Sequence, residues 1–256
     1  MNKRYFIQKA LIKPAVAARP SMLLLIILSS FHVSAQRQKV YSNLIWVGHF
    51  SSIRLNNRFA INSDVQLRTK EWAGKWAQQL IRSGVSYELH PTLNVSLGGA
   101  WFRHAQYSGD TLSFRNEWRP WQEVAYNVKW NKLGVQQRLR LEQRFLQKMV
   151  SGQKTNHYDN VTRLRYRFEI QVPLQQDKKI TASIVNEFMI NPGFWGKETF
   201  VDQNRTFVGI SKEITPSTRV QAQFMKIFLW RTNNLLEDQN VLRFTIHQQF
   251  NLRSKI

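Results

Sequence analysis

Few residues in this sequence are placed to break or make bonds. His49-Phe50-Ser51 sets a histidine two residues from a serine. On an extended strand that spacing turns both side chains to one face, where the imidazole can act as general base toward the hydroxyl. The pair arises easily by chance, and a histidine in a strand serves as readily for packing, so His49 and Ser51 are weak catalytic candidates. His157-Tyr158-Asp159 offers two metal ligands where a site needs at least three, and no phosphate-cradling glycine loop is present. No metal and no cofactor is therefore expected. The chain has no cysteine, which excludes disulfides and thiolate chemistry. What remains is charge at alternate positions: Arg138, Arg140, Glu142 and Arg144, then Arg163, Arg165, Arg167 and Glu169, with Arg68, Glu187, Arg205 and Arg243 on other segments. Guanidinium forks and carboxylates at this density pair with one another or bind anions.

The elements that must hold these residues show a period of two. In the stretch 59–68, Phe59, Ile61, Val65 and Leu67 alternate with Asn62, Asp64, Gln66 and Arg68. The same pattern returns in Leu139 and Leu141 against Arg138, Arg140 and Glu142, and in Leu164, Tyr166, Phe168 and Ile170 against Arg163, Arg165, Arg167 and Glu169. Such alternation belongs to a strand with one apolar and one polar face. Eleven segments can be read, near 41–55, 58–72, 75–90, 93–107, 117–131, 133–148, 160–175, 179–191, 203–215, 218–232 and 239–252. Most exceed the common strand of about 5–6 residues and are long enough to cross a bilayer. Short connections alternate with four longer ones, at 108–116, 149–159, 191–202 and 232–238. Trp72, Trp76, Trp118, Trp121, Trp195 and Trp230 lie near the longer connections, with Tyr87 and Trp130 near the short ones, as in two interfacial girdles. The expected fold is all-β, a transmembrane antiparallel β-barrel of about 10–12 strands. An odd count conflicts with the even numbers usual for bacterial barrels.

Residues 1–35 hold five basic residues and no acidic one, then the apolar run 22–28 and the small-residue site Val33-Ser34-Ala35. This order predicts a secretory signal peptide over 1–35, cleaved before a barrel domain at 36–256, and the run is too short to span a bilayer as a helix. Setting those five charges aside lowers the formal net charge from +21 to +16. The expected location is the bacterial outer membrane, reached through the periplasm. The expected partners are outer-membrane lipid, including anionic glycolipid, or an anionic solute; export argues against nucleic acid. The sequence does not set an oligomeric state.

Alternation assigns nine arginines and six carboxylates to the lumen, the latter being Asp64, Glu88, Glu123, Glu142, Glu169 and Glu187. Two readings of that lumen stand. Cross-strand ion pairs would fill a narrow barrel and make it a structural or recognition element, the reading preferred at this strand number. A hydrated lumen would instead be a small anion-selective channel. Lipid-modifying catalysis by His49 and Ser51, whose spacing resembles the His-x-Ser arrangement of outer-membrane lipid hydrolases, ranks third.

The blocks Arg138-Leu-Arg-Leu-Glu-Gln-Arg-Phe145, Arg163-Leu-Arg-Tyr166, Asn186-Glu187 and Asp202-Gln-Asn-Arg205 resemble those of an outer-membrane barrel family of unknown function, DUF2490. The resemblance runs from about Ser42 to Leu252. It implies a bacterial outer-membrane barrel and brings no activity, substrate or catalytic residue.

Overall fold

The computed structural model describes residues 38–150, 152–175, 179–195, 200–231 and 235–252. The expected signal peptide at 1–35 lies outside them. Eleven strands follow one another: β1 (Gln38–Arg54), β2 (Phe59–Lys70), β3 (Lys75–His90), β4 (Leu93–Ser108), β5 (Thr111–Trp130), β6 (Leu133–Val150), β7 (Gln153–Pro173), β8 (Ile180–Ile190), β9 (Val201–Thr215), β10 (Thr218–Trp230) and β11 (Leu235–Asn251). Each pairs with its sequence neighbours and the sheet closes into a barrel.

The alternation sorts side chains in the sense opposite to a soluble barrel. On β2, Val65 and Leu67 are exposed on the outer wall, whereas Asp64 and Gln66 are buried inside. Ile81, Leu97, Val124, Leu139, Ile184 and Phe244 continue the exposed apolar band around the other strands. An apolar exterior, a polar interior and strands of 11–21 residues make this a transmembrane β-barrel. Closure satisfies the backbone N–H and C=O groups that an open sheet would leave bare in lipid.

The odd strand number is resolved at the seam. β1 and β11 pair in parallel, in unbroken register from Gln38↔Leu235 to Arg54↔Asn251, while every other neighbour pair is antiparallel. An up-and-down barrel with an odd count can close in no other way. β1 thus starts at the rim that carries the β2–β3, β4–β5, β6–β7, β8–β9 and β10–β11 connections, here called the loop rim. β11 ends at the opposite turn rim.

Three expectations need correction. Residues 108–116 and 149–159 are largely strand: β4 and β5 meet in a tight turn at Gly109 (φ 58°), and β6 and β7 are paired to Val150↔Gln153, next to Gly152 (φ 77°). The β6–β7 arm is polar on both faces, and in the β4–β5 arm the alternation of Leu112 and Phe114 with Ser113 and Arg115 is too brief to mark a strand. Trp121 is not a girdle residue. It points into the lumen at 5 % exposure, whereas Trp118 beside it faces outward at 52 %.

Candidate functional site in the barrel lumen

Twelve arginines and glutamates were expected in the lumen, and all twelve lie on its inward face. Four carboxylates organise them. Glu117 on β5, 0 % exposed, accepts from Arg119 (Nε 2.6 Å, Nη2 3.0 Å), Arg144 (Nε 2.5 Å, Nη2 3.2 Å) and His104 (Nε2 2.7 Å). Glu142 on β6 accepts from Arg165 Nη1 (2.5 Å) and lies 3.6 Å from Arg119 Nη1. Arg165 on β7 reaches the other way to Glu187 on β8 (2.8 Å), which also receives Arg138 Nη2 (2.6 Å). Glu123 takes Arg140 through Nε (2.6 Å) and Nη2 (2.5 Å). A continuous chain of ion pairs thus runs across β5 to β8, with His104 of β4 hydrogen-bonded to its end. Such charges are tolerable out of water where a carboxylate gathers several donors in matched forks, as Glu117 does.

The alternation of Glu123 with Val124, carried backward along β5, would have placed Arg119 and Glu117 in this chain. The tryptophans and Pro120 between them disguised the strand. His104 on β4 carried no such signal. Asp202 was hidden for another reason. A register shift between Met189 and Ile190 leaves it unpaired on β9, and this irregularity turns it inward to Arg163 Nη2 at 2.8 Å. Smaller rungs complete the charged side: Asp64 with Arg82 (2.6 Å), and Arg167 with Glu169.

The rest of the lumen mixes apolar with neutral polar groups, Gln203, Gln223, Gln239 and Thr245 being buried on β9–β11. Leu44, Trp46, Val185, Phe207, Met225, Ile227, Leu229 and Val241 form a buried cluster on β1 and β8–β11. Guanidinium groups lie over rings at the join: Arg119 over Phe102 (3.8 Å), Arg68 over Trp46 (3.9 Å) and Arg140 over Trp121 (4.3 Å). Planar, weakly hydrated cations can lie against apolar surface in this manner. Trp121 fits inside only because Gly84 and Gly98 face it; a Cβ on either would stand 2.5–2.6 Å from its Cζ2 atom.

Cavities remain towards both rims. Two towards the turn rim, of about 380 and 270 Å³, mix both signs of charge, as in Arg167, Glu169, Glu213 and Arg219 of the first and Asp64, Arg82 and Glu123 of the second. The vestibule towards the loop rim, about 240 Å³, is lined by eight lysine and arginine side chains and one carboxylate, Glu237. A further hollow, about 600 Å³, is an apolar furrow among Val85, Leu97, Val124 and Leu139 on the lipid side of the wall.

His49 and Ser51 stand on the outer wall. His49 Nε2 donates to Gln248 Oε1 on β11 (2.9 Å), not to Ser51. His157 lies on the β7 arm, and Asp159 there is paired with Lys148 at 2.9 Å. The outer wall also carries a polar ladder in direct register across five strands: Asn186, Thr206, Lys226, Asn240 and Asn43. Asn186 donates to Thr206 (3.1 Å), Lys226 to Asn240 (3.0 Å) and Asn240 to Asn43 (3.1 Å), while Lys226 is ion-paired with Asp238. Asn43–Asn240 and His49–Gln248 therefore fasten the seam on its lipid side.

The sequence profile of the family described as protein of unknown function (DUF2490) matches residues 43–241. The chain belongs to this family. The charged blocks of the DUF2490 chain fall within the matched span, which begins inside β1 and ends inside β11. Among solved structures, a NanC porin is similar at 11% identity and a TM-score of 0.42, over 73% of this chain and 87% of that one. The siderophore receptor PirA from Pseudomonas aeruginosa is similar at 11% identity and a TM-score of 0.29, over 69% and 32%. A comparison with curated proteins finds no match.

Proposed function

We propose that the protein is an outer-membrane barrel, exported by a signal peptide at 1–35, whose lumen is closed and whose role is structural or in recognition. One observation carries the reading. Side chains from opposite walls are fully withdrawn from solvent, with Glu117, Met189, Met225 and Val241 at 0 % exposure and Ile227 at 1 %. A hydrated channel would wet the residues of its lining, as porin lumens of 16–18 strands do. Here an ion-pair chain and an apolar cluster divide the cross-section between them. The test is conductance of the refolded protein in a planar bilayer under a salt gradient. Silence is expected. Stable, large, anion-selective openings would establish the second reading, a small anion channel, which the excess of arginine over carboxylate in the lumen favours.

A further inference from the structure

We infer that the loop-rim vestibule is a binding site for a small soluble phosphorylated molecule. The inference deepens the closed-lumen reading, since a floor of buried ion pairs makes the vestibule a blind pocket in which a solute is captured.

The argument is one of unmatched charge inside a defined cavity. Several of the cations around it have a carboxylate partner: Arg231 has Glu237 (2.9 Å), Arg119 and Arg144 share Glu117, and Arg163 has Asp202. Arg68 and Arg115 do not. Among the described residues neither has a carboxylate within 4.0 Å. Arg68 donates only to the neutral Gln78 (2.7 Å) and Gln66 (2.9 Å), and Nε of both arginines has no acceptor. Arg205 adds a third, held by Gln203 (2.7 Å) and only distantly by Glu187 (3.8 Å). Arg68 and Arg205 lie 3.9 and 5.6 Å from the Trp46 ring, which holds both guanidinium groups beside the cavity.

Unmatched guanidinium groups in a walled cavity call for an anion. A phosphate monoester carries about −1.5 to −2 charge at neutral pH, comparable with this excess, and its oxygens suit guanidinium forks. Two arginines towards the turn rim, by contrast, have carboxylates close by: Arg82 has Asp64 and Arg167 has Glu169. The vestibule lies inside the barrel wall, so a lipid anchored in the bilayer would have to cross the rim to reach it. That favours a soluble ligand over a lipid headgroup.

The test uses the full mature chain in uncharged detergent, titrated calorimetrically with inorganic phosphate and with glucose 6-phosphate against glucose. Saturable binding of both phosphates and none of glucose is expected. Arg68→Gln or Arg115→Gln should weaken it about ten-fold or more, the worth of one charge-assisted hydrogen bond, and Arg219→Gln at the opposite rim should not. Arg115 lies towards the β5 arm, so its variant tests the site if Arg68→Gln fails to fold. Absence of saturable binding, or equal weakening by Arg219→Gln, overturns the site. So does a response confined to phosphatidylglycerol vesicles. A barrel that binds phosphate yet conducts overturns the closed lumen and leaves the site standing; a silent barrel that ignores phosphate does the reverse.

Discussion

Glu117 and Glu169 face the same lumen and carry different burdens. Five hydrogen-bond contacts from three side chains meet at Glu117, which is fully buried, while Glu169 holds Arg167 and Gln171 beside an open cavity. Glu142 is as buried as Glu117: its removal leaves Arg165 with Glu187 as its remaining carboxylate and takes a negative charge from among Arg119, Arg140 and Arg165. Removing one side of a buried pair costs about 3–5 kcal/mol, because the positive charge left out of water is no longer balanced. Glu142→Ala is therefore expected to lower unfolding free energy in detergent by about that much. Glu169→Ala, next to a cavity that can admit water, should cost nearer 1–3 kcal/mol. Urea titration followed by the heat-dependent gel shift compares the two. Small, equal losses would mean that water already reaches the ion-pair chain.

Element by element, the glycines of β4 give the sharpest contrast. A Cβ at Gly98 would lie 2.2 Å from the Ser83 carbonyl oxygen and 2.6 Å from Trp121, whereas a Cβ at Gly99 meets nothing within 4 Å. Gly98→Ala should destabilise by about 1–3 kcal/mol or block folding, since backbone cannot give way, and Gly99→Ala should be silent in the same urea titration. On the outer wall, Asn240→Leu removes contacts to Lys226 and Asn43 at once and is expected to cost about 1–2 kcal/mol, read as a lower temperature of gel-shift loss. These elements were legible to different degrees. Strands that have lipid on one side and the lumen on the other, such as β2 and β7, declare themselves by alternation. The arm of β6–β7 does not, being polar on both faces, and that of β4–β5 alternates over too few residues around its turn at Gly109. Trp121 was misplaced because an aromatic near a strand end looks alike whether it meets headgroups or two facing glycines. Asp202 was missed because a register shift breaks the period on which the assignment of faces depends. The twelve lumen charges were readable since long charged side chains on a membrane strand have one affordable direction; which carboxylate each arginine would find depends on register, and sequence does not encode that locally.

At the scale of the molecule, the ion-pair chain gathers on β5–β8 and the apolar cluster on β1 and β8–β11, where Arg205 and Arg243 also point inward, and the lumen differs from end to end. The closed middle predicts no steady conductance, and the basic vestibule above it predicts that anions are held at one rim only. The parallel seam sets a further constraint. Gln38 and Asn251, the two free ends of the sheet, emerge at opposite rims. Epitope tags fixed to them should consequently report from different sides of the membrane, one reachable on intact cells and the other only after permeabilisation. No hairpin can join these ends, and a circularly permuted chain would need a linker as long as the barrel is tall.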